Sequence, residues 1–276
     1  MLDYLMGIFM FISLYRGIRI MIFKRKKTSK VIPGAASYFF KGGKTGVLLI
    51  HGFSSSPDDF RYLREYLKEK NISVYAPLLP GHGTRPGDLL KTHWEDWLDA
   101  SNKGLKKLRK HCSKIYVGGS SAGGNLAFLV ASKNKVEGLL SFSTPVIHKR
   151  KRWIPIVLPI LNRLKVFQKK RSYQGRTRKI IKAKSDYKKF PISKSYDVLK
   201  IMKMTNDVIS RIKVPSLILQ SSEDAQLGED NAEYIYKTIK SKRKKLFFIP
   251  DSYHVFLLDI HRDMAFKEIY KFIKEK

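Results

Sequence analysis

The sequence predicts an α/β fold, with a mostly parallel central sheet, helices on both faces and an inserted cap. Three observations carry that expectation. Short apolar runs alternate with helical stretches from about residue 43 to the C-terminus, the pattern of parallel strands joined by crossover helices. The pentapeptide Gly119-Ser120-Ser121-Ala122-Gly123 stands between one such run and a small-residue helical stretch. The alternation also stops after Pro145 and resumes only at Ser216, which reads as a cap over the sheet edge where ligands bind in such folds. At 276 residues, with 43% hydrophobic and 12% aromatic content, the chain can bury the core of one large domain with an insertion.

Taken in order, residues 1–27 read as a hydrophobic and basic membrane anchor. Tyr4 to Tyr15 is apolar, Arg16 and Arg19 interrupt, Ile20-Met21-Ile22-Phe23 resumes, and Lys24-Arg25-Lys26-Lys27 closes the segment. The uninterrupted part would reach only ~18 Å as a helix, against the ~30 Å of a hydrocarbon core. It spans a membrane only if it runs on to Phe23 with both arginines snorkelling; otherwise it lies in the interface. A secretory signal places its charges before the apolar run. Here they follow it, which argues for a body on the cytoplasmic side. A soluble helix packed on the core, or an uncleaved signal with an exported body, are the competing readings.

Residues 28–42 form a linker and first-strand region, with Pro33 and Gly34 as breakers. The main domain occupies 43–276, with the cap at about 146–210. Gly46-Val47-Leu48-Leu49-Ile50 is a continuous apolar run of the kind found in buried parallel strands. A helix is expected from Pro57 to Lys70, with Phe60, Leu63 and Leu67 on one face, then a strand at Val74-Tyr75-Ala76 and a turn-rich loop at Leu79–Gly83. A helix from Trp94 to Leu108 leads to the strand before Ser121, and Gly138–Phe142 is the next strand. Past the cap come a strand at Ser216–Gln220, a helix at Ala232–Ile239, a strand at Leu246–Ile249 and a helix at Met264–Ile273. Within the cap, Trp153 to Leu161 is an apolar patch, either a lid facing lipid or a segment packed on the core.

Composition narrows the chemistry. The single cysteine, Cys112, forms no intramolecular disulfide and reads as a partly buried thiol, and no H-E-x-x-H or paired C-x-x-C motif is present. Neither a metal nor another cofactor is therefore expected. The formal net charge of +32 admits nucleic acid, an anionic membrane or a general preference for lysine as explanations. No zinc finger, aromatic RRM motif or helix-turn-helix is recognisable, which argues against nucleic acid.

A G-x-S-x-G turn between strand and helix has a steric logic. The flanking residues must be small enough for strand and helix to approach, leaving Ser121 with its hydroxyl clear of the backbone at a helix N-terminus. A plain Gly/Ser turn is the alternative. A nucleophilic serine needs a base and an acid that orients the base, in the chain order Ser…Asp/Glu…His. His254 stands five residues beyond the Ile249 strand end and supplies the base. Glu223, Asp224 and Asp230 are the candidate acids. Asp224 is preferred because it lies in the loop directly after a strand, whereas Asp230 more naturally begins the next helix. The oxyanion hole is expected at the backbone N–H groups of Ala122 and Phe53. His51 and His82 read as loop-shaping residues, and His93, His111, His148 and His261 as structural or solvated.

Leu48-Leu49-Ile50-His51-Gly52-Phe53, Pro80-Gly81-His82-Gly83, Gly119-Ser120-Ser121-Ala122-Gly123-Gly124, Glu223-Asp224 and Ser252-Tyr253-His254-Val255 together resemble the α/β-hydrolase superfamily. Within it the chain looks like the bacterial carboxylesterase and monoacylglycerol-lipase group. The likeness runs from about Gly43 to the C-terminus, weakest in the cap. It implies the α/β-hydrolase fold, with Ser121 as nucleophile, Asp224 as orienting acid, His254 as base, and Phe53 with Ala122 as oxyanion donors. Tyr253 departs from the glycine that often precedes the histidine, and the cap is unusually basic. The apolar cap patch, the N-terminal anchor and the basic surface together favour a small-molecule ester or lipid at or near a membrane: monoacylglycerol, lysolipid or a short-chain ester. A serine peptidase of the same fold and a membrane-tethered binding protein without catalysis are the alternatives.

Overall fold

A computed structural model describes residues 29–146, 166–170, 179, 185–224, 226, 227 and 230–275. The expected anchor at 1–27, the Trp153–Leu161 patch and His148 lie outside the described residues.

The chain builds a seven-stranded sheet in the order β1-β3-β2-β4-β5-β8-β9. Its strands are β1 (Tyr38–Phe40), β2 (Thr45–Ile50), β3 (Ser73–Ala76), β4 (Lys114–Ser120), β5 (Gly138–Phe142), β8 (Ser216–Ser221) and β9 (Lys244–Ile249). Only β1 runs antiparallel, against β3; the other pairings are parallel. Among the described residues the α-helices are α1 (Arg61–Glu69), α2 (Trp94–Arg109), α3 (Ala122–Lys133), α4 (Ser195–Ile209), α5 (Asp230–Thr238) and α6 (Arg262–Lys274).

The period-two rule of a strand explains why the sheet is covered on both sides. Along β2, Leu48 and Ile50 join one core cluster while Val47 and Leu49 join the other. β8 divides likewise, Ile218 to the first and Leu217 with Leu219 to the second. The first face is packed by α2, α3, α4 and α5 through Trp97, Leu105, Leu126, Phe128, Ile201 and Ile235. The second is packed by α1 and α6 through Leu63, Leu67, Phe266 and Ile269. α3 is apolar around most of its girth and almost wholly buried, as suits a helix pressed into the centre of the sheet.

The helix expected from Pro57 opens as a 3-10 turn, Pro57–Phe60, before α1. The Ser56 hydroxyl accepts the Asp58 N–H at 3.3 Å, and Pro57 has no N–H to leave unpaired. α2 begins at a reciprocal cap in which the His93 N–H donates to Asp96 Oδ2 at 2.8 Å. Sequence reasoning left several features unread. A 3-10 helix, Pro86–Lys91, follows the Pro80–Gly83 loop. In the cap, β6 (Phe167–Lys169) pairs antiparallel with β7 (Lys189–Pro191). Three-residue strands rich in lysine carry no alternation to detect, and their partners lie about twenty residues apart. α4, within the stretch expected to be cap, contributes Ile201 and Ile209 to the main core.

Candidate active site

Ser121 joins β4 to α3 with φ 53° and ψ −124°, a backbone region that side-chain-bearing residues rarely adopt. Such a residue stores roughly 1–3 kcal/mol of strain and persists only where its surroundings impose it. Those surroundings are visible. The Ser121 N–H donates to the Phe142 carbonyl at 2.9 Å, and the Ser121 carbonyl accepts the Gly124 N–H at 2.8 Å. Gly119 faces the Gly123 carbonyl, and Gly123 faces the carbonyls of Ile50 and His51, with no room at either position for a Cβ. The end of β2, the end of β4 and the start of α3 therefore meet backbone to backbone, as the steric reading of the pentapeptide requires.

Across the carboxyl ends of the strands, His254 Nδ1 lies 2.7 Å from Asp224 Oδ2. An ionised carboxylate only accepts, so Nδ1 carries the proton and Nε2 is left as the basic nitrogen. The Asp224 side chain is fully buried and bonded through both oxygens. Oδ2 also accepts from Gln220 Nε2 at 3.0 Å, and Oδ1 from the N–H groups of Gln226 at 3.0 Å and Leu227 at 3.3 Å. Burial pushes this carboxyl up. The hydrogen bond and charge of His254 and the Gln226 N–H outweigh it, leaving the pKa below its ordinary 3.8. Gln220 was missed by sequence reasoning, because a glutamine at the end of a buried strand announces itself only through its partner.

Of the three acids weighed, Asp224 meets His254. Glu223 is exposed, and its N–H bonds to the Ser252 carbonyl at 3.2 Å, while Asp230 is the first residue of α5. Cys112 is buried. His93 stands exposed at the α2 N-terminus, 3.3 Å from Lys194 Nζ. His111 and His261 are partly buried, His261 at the N-terminus of α6. Among the described residues no cluster of three or more His, Cys, Asp or Glu is placed to hold a metal.

The loop after β2 borders the elbow: a side chain at Gly52 would meet Ser121 Cβ at 3.4 Å. His51 is completely buried and bonded at both nitrogens, accepting the Leu79 N–H at Nε2 (3.0 Å) and donating from Nδ1 to the Gly52 carbonyl (2.9 Å). It ties the β2 loop to the Leu79–Gly83 loop. His82 Nδ1 lies 3.1 Å from the Pro80 carbonyl, and its ring packs against His51, Phe53 and Trp97. Its Nε2 is buried without a hydrogen-bond partner.

Burial, reinforced by His51, holds the His82 pKa well below 6.5, so the ring is neutral in the folded protein. The unfolded chain takes up that proton below pH 6.5, so the stability contribution is complete above that pH and declines as pH falls. His82→Gln is expected to flatten the fall in stability below pH 6.5 by up to about 1.4 kcal/mol per pH unit. Urea unfolding at a series of pH values checks this; an unchanged slope would place the titrating group elsewhere.

Comparison with known proteins agrees with this fold. The model of the family described as serine aminopeptidase, S33, matches residues 43–261. A thermostable monoacylglycerol lipase from Bacillus sp. (strain H-257) is 29% identical over 244 residues, covering 88% of this chain and 95% of the relative. A carboxylesterase from Bacillus subtilis (strain 168) is 27% identical over 240 residues, covering 86% and 96%. Among solved structures, one described under the metagenome-derived lipolytic enzymes LipS and LipT superposes with a TM-score of 0.79 at 25% identity, covering 90% of this chain and all of that one. The Paleococcus ferrophilus monoacylglycerol lipase has the same fold, with a TM-score of 0.73 at 20% identity and coverage of 86% and 97%. Matched by the family model over residues 43–261, the chain belongs to the serine aminopeptidase family of α/β-hydrolases, as an esterase- and lipase-like enzyme.

Proposed function

We propose that the protein hydrolyses carboxylic esters through Ser121, His254 and Asp224 by way of an acyl-enzyme. The observation that carries this is the 2.7 Å contact of His254 with Asp224, on a sheet that also holds Ser121 in a strained turn. His254 Nε2 takes the Ser121 hydroxyl proton as Oγ attacks the ester carbonyl carbon. The N–H groups of Phe53 and Ala122 receive the oxyanion, Ala122 being the first residue of α3, where N–H groups lack helical partners. His254 then returns the proton to the departing alcohol, and water releases the acid by the same steps in reverse. Asp224 holds the imidazole in the Nδ1-protonated tautomer and stabilises its charge.

The names of the two Bacillus relatives favour a monoacylglycerol or another carboxylic ester as substrate. The description of the matching family favours a second reading, hydrolysis of an aminoacyl amide by the same groups. The apolar and basic pattern of residues 1–27 supports attachment to an anionic membrane, with the catalytic body on the cytoplasmic side. Among the described residues no helix is long and apolar enough to cross a membrane.

One panel tests these points: p-nitrophenyl esters of increasing acyl length and mono-, di- and triacylglycerols, beside aminoacyl p-nitroanilides. Ester turnover with anilides near background is the expected result, and the reverse would favour the peptidase. The full chain should also sediment with anionic vesicles in preference to neutral ones; equal partition would count against the membrane reading.

A further inference from the structure

We propose that Lys170, in the cap, is a positioning residue for the oxyanion hole, acting through Ser54 on the loop that carries the Phe53 N–H. This rests on the reading of Ser121 as nucleophile and Phe53 as oxyanion donor.

Gly52 to Ser55 forms a tight turn closed by the Ser55 N–H on the Gly52 carbonyl at 3.2 Å. Phe53 and Ser54 are its central residues, and Ser54 has φ 56°. The third position of such a turn takes positive φ readily only in glycine or asparagine. A serine keeps positive φ there only where its surroundings fix the loop, and a loop that relaxes shifts the Phe53 N–H with it.

What holds it comes from the cap. The Ser54 carbonyl accepts Lys170 Nζ at 3.1 Å, across 116 positions of sequence, and the Tyr187 N–H at 3.3 Å. Lys170 is itself aimed by Asp186, whose Oδ2 accepts Nζ at 2.8 Å and whose side chain is 7% exposed. The Lys170 N–H pairs with the Lys188 carbonyl at 3.0 Å, continuing the β6–β7 ladder, so the lysine projects from a fixed backbone.

The cap segment from Ser185 to Phe190 runs along the rest of the loop. The Ser185 N–H donates to Asp58 Oδ2 at 2.9 Å, and the Ser56 hydroxyl donates to the Ser185 carbonyl at 2.7 Å. Phe190, on β7, meets the Phe53 ring edge-on at 5.3 Å. The Tyr187 hydroxyl donates to the Gly81 carbonyl at 2.8 Å and accepts the Thr84 N–H at 3.0 Å, which fixes the neighbouring loop as well. An oxyanion hole stabilises a transition state only as well as its donors are pre-aimed. Here the aim is set by a charged group more than a hundred residues away, in a segment that contributes no member of the catalytic set.

Lys170→Met keeps most of the side-chain stem and removes the donor. It is expected to lower kcat on a p-nitrophenyl ester about tenfold, with KM changed less than about twofold. Removal of a whole oxyanion donor costs about 10²–10³, and here the donor is displaced rather than deleted. Phosphonylation of Ser121 by a fluorophosphonate should slow by a similar factor, because the phosphonyl oxygen occupies the same hole. Lys170→Arg, which keeps charge and donors, should recover kcat to within about threefold.

An unchanged kcat, a rise in KM alone, or no recovery by arginine would overturn the proposal, since a lysine that merely props the cap would act on substrate binding or melting temperature. Should the methionine variant not fold, Lys170→Gln, too short to reach Ser54, is measured in its place. Native protein that neither labels at Ser121 nor hydrolyses esters would overturn the ester-hydrolase reading and this one with it. Native activity combined with an indifferent Lys170 would overturn this one alone.

Discussion

Replacing Ser121 with alanine is expected to lower ester turnover by roughly 10⁵–10⁶-fold while leaving the protein folded. If Ser121, His254 and Asp224 act as the proposed triad, they act as a unit, and loss of the nucleophile removes almost all chemistry beyond what the oxyanion donors and binding supply. The fold should be indifferent, because the backbone bonds that hold residue 121, to Phe142 and from Gly124, do not involve the hydroxyl. Alanine is as ill-suited as serine to φ 53°, so the melting temperature should barely move. Glycine adopts that conformation freely, and Ser121→Gly should be equally inactive but more stable by about 1–2 kcal/mol. Hydrolysis of a p-nitrophenyl ester and thermal unfolding of the two variants measure both effects. Activity that survives in the alanine variant would assign the nucleophile to another residue.

Gly123→Ala should be the most damaging single substitution for folding. A Cβ there would sit far inside the 3.0 Å that real Cβ atoms keep, against the Ile50 and His51 carbonyls. Neither obstacle can rotate away. Both are backbone, at the end of a strand in which Ile50 is registered with Gly119 of β4. Relief requires α3 to withdraw from the sheet, which would break the Ser121 turn and open the core around Leu126 and Phe128. A cost of about 4 kcal/mol or more is expected, a large part of the roughly 5–15 kcal/mol that stabilises a typical domain. Urea unfolding with circular dichroism reads it, or failure to recover soluble protein; a variant within about 1 kcal/mol of native would show that the elbow is not packed as described.

Much of this architecture was legible one segment at a time. The apolar runs at Gly46–Ile50, Gly138–Phe142 and Ser216–Gln220 are strands because they are short, continuous and bounded by breakers. The helices from Trp94 and Met264 were anticipated to within two residues at each end, since their apolar periodicity is strong. Weak local signals failed. The Pro86–Lys91 3-10 helix and the cap strands β6 and β7 are too short to impose a period, and their shape comes from what they pack against.

The site divides in the same way. Chain order and the small residues around Ser121 point to a serine elbow followed by an acid and a histidine, because those constraints are local: a sharp turn needs small neighbours, and a strand end needs a loop. Sequence alone could rank Asp224 above Glu223 and Asp230 without showing which would reach His254. Nothing in the chain marked Gln220 as a donor to that carboxylate, His51 as the tie between two loops, or Lys170 as a partner of Ser54. Those relations join residues that are distant along the chain and become neighbours only when the sheet order and the cap place them together. A hydrogen bond depends on distance and direction in three dimensions, which no pattern in one dimension encodes.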